Sequence, residues 1–584
     1  MKFTSAKMAP EWRLFISDEI TEDFAATITS FPEVLALPSG GMVQASPIDF
    51  SGEFIDFHKA LDRVVPVETR SVFVGRLVAD NDGVVIFGAG ADWWWTCFVN
   101  GEKVFDRGKS FPNGNAQGTF SKTDWMFPVK VRKGENIVVL HMVSGQFWSL
   151  GAGLLPVPDG VDADAVGDVS AKALDGLKLR CNTTRDPIGY KVGEDIDFVF
   201  ELLNEGASNR GPLFLVWSAR GDDGATSSGF SPIENDKPLH VVTRLARPGF
   251  VHVAAKVASA SGAVAEGTDL VFEGGAGAGI AELRAAAQRP ADFDEYWARQ
   301  RARLDAVPLN PELELYCGRF FPDGVEIPAG LKVYKVKVAC AGPNPVTGFL
   351  SMPKEKGRYP ARVVFDGYSR DPKFSHRLMT PGMITLHVNA HGYELFRGPE
   401  YYEAFFKPFE RNDTVYAFST EENANPDTAY FNGMALRVMR SLDFVKTLPE
   451  WNGRDLFAQG GSQGGLQAIW AASLEPKLTR CDCSINWCSN IAGVKLDSRM
   501  RGWHPEYVPG LDYYDTVFHA SRIPETCFVD VLRIGLGDYT CPPSGITAMY
   551  NAIKAPKRVA YYQNSTHMFV PFEPTISRLS SLWK

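Results

Sequence analysis

A chain of 584 residues, 45% apolar and 22% charged, has a globular composition and exceeds what one hydrophobic core serves, so two to four domains are expected. Its formal net charge of −9 argues against nucleic acid as a partner, which selects a basic face, and no apolar run is long enough to cross a bilayer. The start, MKFTSAKMAPEW, has neither an apolar signal core nor a small-residue cleavage site, as expected of a cytoplasmic chain or of a secreted one whose leader is absent.

Residues 1–165 read as an all-β unit. RSVFVGRLVA from Arg70, GVVIF from Gly83 and ENIVVLHMV from Glu135 are strand-like, and TCFVNGEKVFD sets Asn100-Gly101 between two apolar alternations, the signal of a tight hairpin. ADWWWTCFVNG adds three tryptophans, Trp93, Trp94 and Trp95, which serve either as a platform for sugar rings or as core. Adjacent residues of a strand face opposite sides, so at most two of the three share a face. The unit resembles a galactose-binding-type jelly roll. PVPDGVDADAVGD from Pro156 is rich in Asp, Gly and Pro and reads as a linker.

A second β unit spans residues 166–275, with strands expected in DIDFVFEL from Asp195, LFLVW from Leu213 and FVHVAAKV from Phe250. Its length suits a seven-strand sandwich and resembles an immunoglobulin-like module. GGAGAG, Gly274 to Gly279, reads by composition as a flexible hinge.

From residue 276 to 584 helices and strands alternate, which implies a mostly parallel sheet whose ligands bind at the carboxyl ends of its strands. ADFDEYWARQRARL from Ala291 and MALRVMRSLDFVKTL from Met434 carry apolar residues at helical spacing; ARVVF from Ala361 and MITLHV from Met383 are buried-type strands. Asp455 to Gln459, Leu532 to Gly535 and Arg558 to Tyr562 are further strand candidates. Cys481, Cys483 and Cys488 lack a fourth ligand and the paired spacing of a metal site, and read as core.

The chemistry centres on AQGGSQGGLQ, Ala458 to Gln467. Gly460-Gly461-Ser462-Gln463-Gly464 matches the G-x-S-x-G nucleophile elbow, with a strand before it and a helix, LQAIWAASL, behind. Small neighbours let strand and helix approach around a serine in a strained turn, and the helix start offers N–H groups to a developing oxyanion. Partners follow in the order Ser, acid, His: Asp538 in LRIGLGDYTCPP and His567 in RVAYYQNSTHMF each come just after an apolar strand. His504 and His519 lie between Ser462 and Asp538 and fit that order worse. Ser462 is thus the candidate nucleophile, His567 the base and Asp538 its orienter. The N–H groups of Gln463 and of Tyr368, in FDGYSRDP, are the candidate oxyanion donors, and His391 is a candidate for lining the pocket. This chemistry needs no metal, and no cofactor is expected.

These residues resemble the acetyl xylan esterase and cephalosporin-C deacetylase family, carbohydrate esterase family seven of the α/β-hydrolase superfamily. The resemblance runs from about Ala291 to Pro571 through PADFDEYW, FDGY, GGSQGG, LDYYD, GLGDYTCPPS and the AYY–H stretch. It implies an α/β-hydrolase fold, a Ser462–His567–Asp538 triad with Tyr368 at the oxyanion, and removal of acetyl groups from carbohydrates such as xylan through an acyl-enzyme. NAHGYE stands where the family has an Arg-Gly-Gln motif, and Thr566-His567-Met568 where it favours Gly-His-Glu, so substrate preference is open. The competing readings are a hydrolase of another ester or peptide class, and a carbohydrate-binding protein with a degenerate hydrolase unit. A homo-oligomer is compatible with the sequence.

Overall fold

The computed structural model describes residues 2–582 except 51–53, 64, 67, 93, 108–119, 121, 123–124, 145–147, 156–175, 205–212, 236, 260–269, 317–326, 371–378 and 412–413. The linker expected from Pro156, and Trp93, lie outside the described residues.

In the N-terminal region a larger sheet and a four-stranded sheet enclose one core that includes Trp12, Phe73, Phe87, Trp95, Leu140 and Trp148. The strands Arg70–Ala79, Gly83–Ala91 and Gly134–Val143 fall where the alternation placed them. Trp94–Val99 and Glu102–Arg107 form the expected hairpin, and Asn100 (φ 54°) with Gly101 (φ 84°) supplies the left-handed pair that a tight turn requires. Trp95 is 1% exposed and stacks on Phe105 at 4.9 Å, so this tryptophan is core; Trp94 is half-buried.

Next, a three-stranded sheet and a four-stranded sheet share a second core with Ile196, Phe198, Phe200, Leu215, Val253 and Phe272. Phe214, Val216 and Phe230 of this unit pack on Ile86 and Leu155 of the first. The hinge expected at Gly274 to Gly279 is instead a strand, Val271–Ala278, paired antiparallel with Gly249–Ser259. Its glycines answer to close approach: a Cβ on Gly275 would lie 2.3 Å from the Val251 carbonyl oxygen and 2.9 Å from that of Leu536. The turn out of this strand comes at Gly279 (φ 59°).

The C-terminal region is built on a ten-stranded sheet. Its centre, in the order Ile384–Val388, Tyr359–Phe365, Trp451–Gly461, Arg480–Ser484, Phe528–Gly535 and Lys557–Tyr562, pairs in parallel. Both flanks pair antiparallel, with Glu312–Leu315, Leu331–Val338 and Val346–Pro353 on one side and Ile576–Ser580 on the other. Helices Phe293–Asp305, Tyr430–Thr447 and Gln463–Leu474 pack around it. The helix Gln463–Leu474 is buried almost throughout, which explains its apolar sequence on every side. Cys481 and Cys483 are buried free thiols of the strand Arg480–Ser484. Among the described residues no group of side chains is arranged to hold a metal, and no helix is long and apolar enough to cross a membrane.

Candidate active site

Three chain segments meet at the carboxyl ends of the parallel strands. The strand Trp451–Gly461 turns sharply into the helix Gln463–Leu474, and Ser462 is the single residue between them, at φ 55° and ψ −121°. A non-glycine residue held there costs on the order of 1–3 kcal/mol, which the surrounding contacts must supply. Ser462 N–H donates to the Ser484 carbonyl at 3.0 Å, and the Ser462 carbonyl accepts from Leu466 and Trp487. The glycines are there because backbone meets backbone: a Cβ on Gly460 would lie 2.3 Å from the Gly464 carbonyl, and one on Gly464 would lie 2.1 Å from the Phe365 carbonyl oxygen.

Asp538 follows the strand Phe528–Gly535, and His567 lies in the loop after Lys557–Tyr562. His567 Nδ1 is 2.9 Å from Asp538 Oδ2, and Nε2 is 3.1 Å from Ser462 Oγ. Only Nδ1–H can donate to a carboxylate, so Nε2 faces the serine as an acceptor. Asp538 is fully buried; its Oδ1 accepts the Cys541 N–H at 2.9 Å, which fixes the carboxylate's rotation. The structure thus brings Ser462, His567 and Asp538 into one hydrogen-bonded chain. His504 bonds the Pro505 carbonyl, and His519 bonds Ser473 and the Tyr513 carbonyl, so both intervening histidines are engaged elsewhere.

Asp366, Gly367 and Tyr368 run beside the elbow, where a Cβ on Gly367 would be 3.9 Å from the Gly461 carbonyl oxygen. The Tyr368 hydroxyl donates to the Tyr416 carbonyl at 3.0 Å and accepts the N–H groups of Val415 and Tyr416. Its ring stacks on Tyr416 at 4.1 Å and meets Trp503 and Trp487 edge-on. Burial pushes the phenol pKa upward, so it stays protonated. With the side chain so engaged, any contribution of this residue to an oxyanion comes from its backbone N–H. Gln463 begins the elbow helix; its side chain is fully buried, and Oε1 accepts from the Tyr416 hydroxyl at 2.7 Å.

His391 is only 3% exposed and lies under this loop. Its Nε2 is 2.9 Å from the Ser369 carbonyl oxygen, and its Nδ1 is 2.9 Å from the Tyr430 hydroxyl. A carbonyl only accepts, so Nε2 carries the proton and Tyr430 donates to Nδ1. Burial lowers the pKa to about 3, which keeps the ring neutral. His391 therefore props the loop that carries Tyr368 and Ser369 from beneath.

Some contributors carry no signal in the sequence. The Arg533 guanidinium donates to the His567 carbonyl at 3.0 Å, and Gly537 N–H donates to the Ser565 carbonyl at 3.0 Å, tying the histidine loop to the acid loop. Trp487 stacks on Trp503 at 5.5 Å, and both contact Phe418, completing an aromatic wall with Tyr368. A lone arginine or tryptophan in a loop announces none of these roles; only the fold brings them together.

The family model described as acetyl xylan esterase (AXE1) matches residues 278–575. Acetyl esterase Axe7A of Xylanibacter ruminicola is 28% identical over 349 residues, covering 57% of this chain and 74% of its own. Two solved structures are also similar. The acetyl xylan esterase from Paenibacillus sp. R4 is 23% identical, covers 50% of this chain and 94% of its own, and has a TM-score of 0.43. Acetyl xylan esterase 1 from Thermoanaerobacterium sp. JW/SL YS485 is 21% identical, covers 50% and 93%, and has a TM-score of 0.42.

Proposed function

The chain belongs to the acetyl xylan esterase family and is a carboxylic ester hydrolase, and we propose that it removes O-acetyl groups from xylan-type carbohydrates with Ser462, His567 and Asp538 as its catalytic triad. The observation that carries the residue assignment is the chain of bonds from Ser462 Oγ through His567 to a fully buried Asp538. Ser462 Oγ attacks the acetyl carbonyl while His567 Nε2 takes its proton. Asp538 holds the imidazole in the Nδ1–H tautomer and stabilises the imidazolium that forms. The N–H groups of Gln463 and Tyr368 receive the oxyanion, a contribution that for one donor is typically about 3–4 kcal/mol. His567 then protonates the departing sugar hydroxyl, leaving an acetyl ester on Ser462. Water, deprotonated by the same histidine, releases acetate and restores the serine.

The two β-rich units before the hydrolase unit are read as a galactose-binding-like jelly roll, residues 1–165, and an immunoglobulin-like sandwich, residues 166–275. Paired sheets around a shared core support both assignments. The hydrolase unit is assigned to residues 276–584, and the pairing of Val271–Ala278 with Gly249–Ser259 supports starting it at Gly279. The test is release of acetate from acetylated xylo-oligosaccharides, set against propionyl and butyryl esters and a peptide amide. Acetate release with longer acyl chains disfavoured is expected; faster turnover of the longer esters, or of the amide alone, would refute the assignment.

A further inference from the structure

The second β unit is docked on the two loops that carry Asp538 and His567. Gln563, four residues before His567, is 2% exposed and points out of the hydrolase unit. Its Oε1 accepts the Gly275 N–H at 2.9 Å and its Nε2 donates to the Gly275 carbonyl at 2.8 Å, so one amide pairs with one strand residue as a neighbouring strand would. Asn564 stands beside it at φ 51°, and its Oδ1 accepts the Glu273 N–H at 2.9 Å. On the acid side, a Cβ on Gly537 would lie 2.1 Å from the Glu273 carbonyl oxygen, so the residue before Asp538 is pressed on the same strand. Tyr539, the residue after Asp538, is 2% exposed and packs on the His252 ring at 4.3 Å. The contact continues away from the loops through Phe250 stacked on Tyr561, and through fully buried Asp222, whose Oδ1 accepts the Met500 N–H at 3.2 Å.

We infer that the strand Val271–Ala278 of the second β unit is a positioning element for the triad, with Gln563 as its principal grip: it fixes the histidine loop and the acid loop against one rigid edge and so sets the His567–Asp538 geometry. The inference rests on the assignment of Ser462, His567 and Asp538 as the triad. Both loops leave adjacent parallel strands and rest on Glu273, Gly275 and His252 of the second unit, beside their ties within the hydrolase unit: the Gly537–Ser565 bond, the Arg533 contact, and the bonds of Gln563 N–H to the Thr575 carbonyl and of Trp503 N–H to the Thr540 carbonyl. Two loops gripped by one strand cannot drift independently, and catalytic constellations need placement to within a fraction of an ångström. Gln563, Asn564 and His252 do not touch the reacting atoms; they act through the loops.

The experiment uses the full chain. Gln563→Ala removes both bonds to Gly275, and His252→Ala removes the ring beside Tyr539 from the second unit's side. Each is assayed on 4-nitrophenyl acetate, with folding checked by circular dichroism and the rate of fluorophosphonate labelling at Ser462 measured in parallel. For Gln563→Ala we expect kcat to fall roughly 10- to 100-fold with KM within about twofold and labelling slowed alongside, because geometry is lost and binding is not. His252→Ala should show the same pattern at roughly 3- to 10-fold. A folded Gln563→Ala with unchanged kcat and labelling overturns the inference. If that variant does not fold, an unchanged His252→Ala overturns it. Ser462→Ala separates the two layers: if it stays active the triad assignment fails, whereas if it is inert and the other variants turn over fully, only the positioning role fails.

Discussion

Gly464→Ala puts the elbow's architecture under direct test. A methyl at this position would sit 2.1 Å from the Phe365 carbonyl oxygen and 2.8 Å from its carbonyl carbon, where ordinary contact begins at 3.4 Å. Both neighbours are backbone, so no side chain can swing aside, and the helix Gln463–Leu474 must retreat from the central strand by about 1 Å. Overpacking of this kind costs about 1–3 kcal/mol, a drop of several degrees in Tm for a unit of this size. Ser462 is the residue just before that helix, and its Oγ stands 3.1 Å from His567 Nε2. A displacement near 1 Å therefore costs on the order of a hundredfold in kcat. Gly330→Ala, where a Cβ meets nothing within 4 Å, is the control and should change neither quantity. The assay is kcat on 4-nitrophenyl acetate beside a thermal melt. A Gly464→Ala enzyme with wild-type kcat and Tm would show that the glycine is not required for the packing of the elbow.

Asp538→Asn should keep the fold and lose roughly a thousandfold or more in kcat, because the amide favours the wrong tautomer of His567; turnover within tenfold of wild type would remove Asp538 from the triad. Trp95→Ala should destabilise the first β unit by about 3–5 kcal/mol, since the ring is buried against Phe105 and Phe127; a soluble, equally stable variant that loses only glycan affinity would contradict a core role. Burial pushes the Asp512 carboxyl up to about 7, with the Tyr507 hydroxyl as its partner at 3.1 Å. A carboxyl raised in the folded state holds its proton longer there, so its stabilising share is complete below about pH 4 and lost as pH rises through 7. Asp512→Asn should accordingly gain on wild type in urea denaturation between pH 5 and pH 8; a difference that stays constant over that range would refute the assigned cause.

What the sequence displays depends on how local the physics is. Asn100-Gly101 is legible because a tight turn needs left-handed residues at that spot, whatever surrounds it. Ser462 is legible for the same reason: strand, small residues and helix are contiguous, and the constraint on each glycine lies within the turn or on the neighbouring strand. Gly274 to Gly279 misleads because composition cannot distinguish glycines that loosen a chain from glycines that admit another backbone. Gly275 belongs to the second kind, pressed between Val251 and Leu536. The edge strands are visible in principle, since LKVYKVKV alternates from Leu331, but their place in the sheet is set by distant partners. His391 shows as a loop histidine near the site, and only its bonds to Ser369 and Tyr430 reveal a buried prop. Arg533, Trp487 and Gln563 were illegible because each acts on residues that folding alone makes its neighbours.

In the proposed reaction, acetyl transfer passes through Ser462. Rapid acid quench during turnover of 4-nitrophenyl acetate, followed by peptide mass spectrometry, reads this directly. One added acetyl group is expected on the peptide containing Ser462 in the wild-type chain. In Ser462→Ala that adduct and acetate release from acetylated xylo-oligosaccharides should both disappear. An acetyl group carried by another residue during turnover, or undiminished acetate release by a folded Ser462→Ala chain, would contradict it.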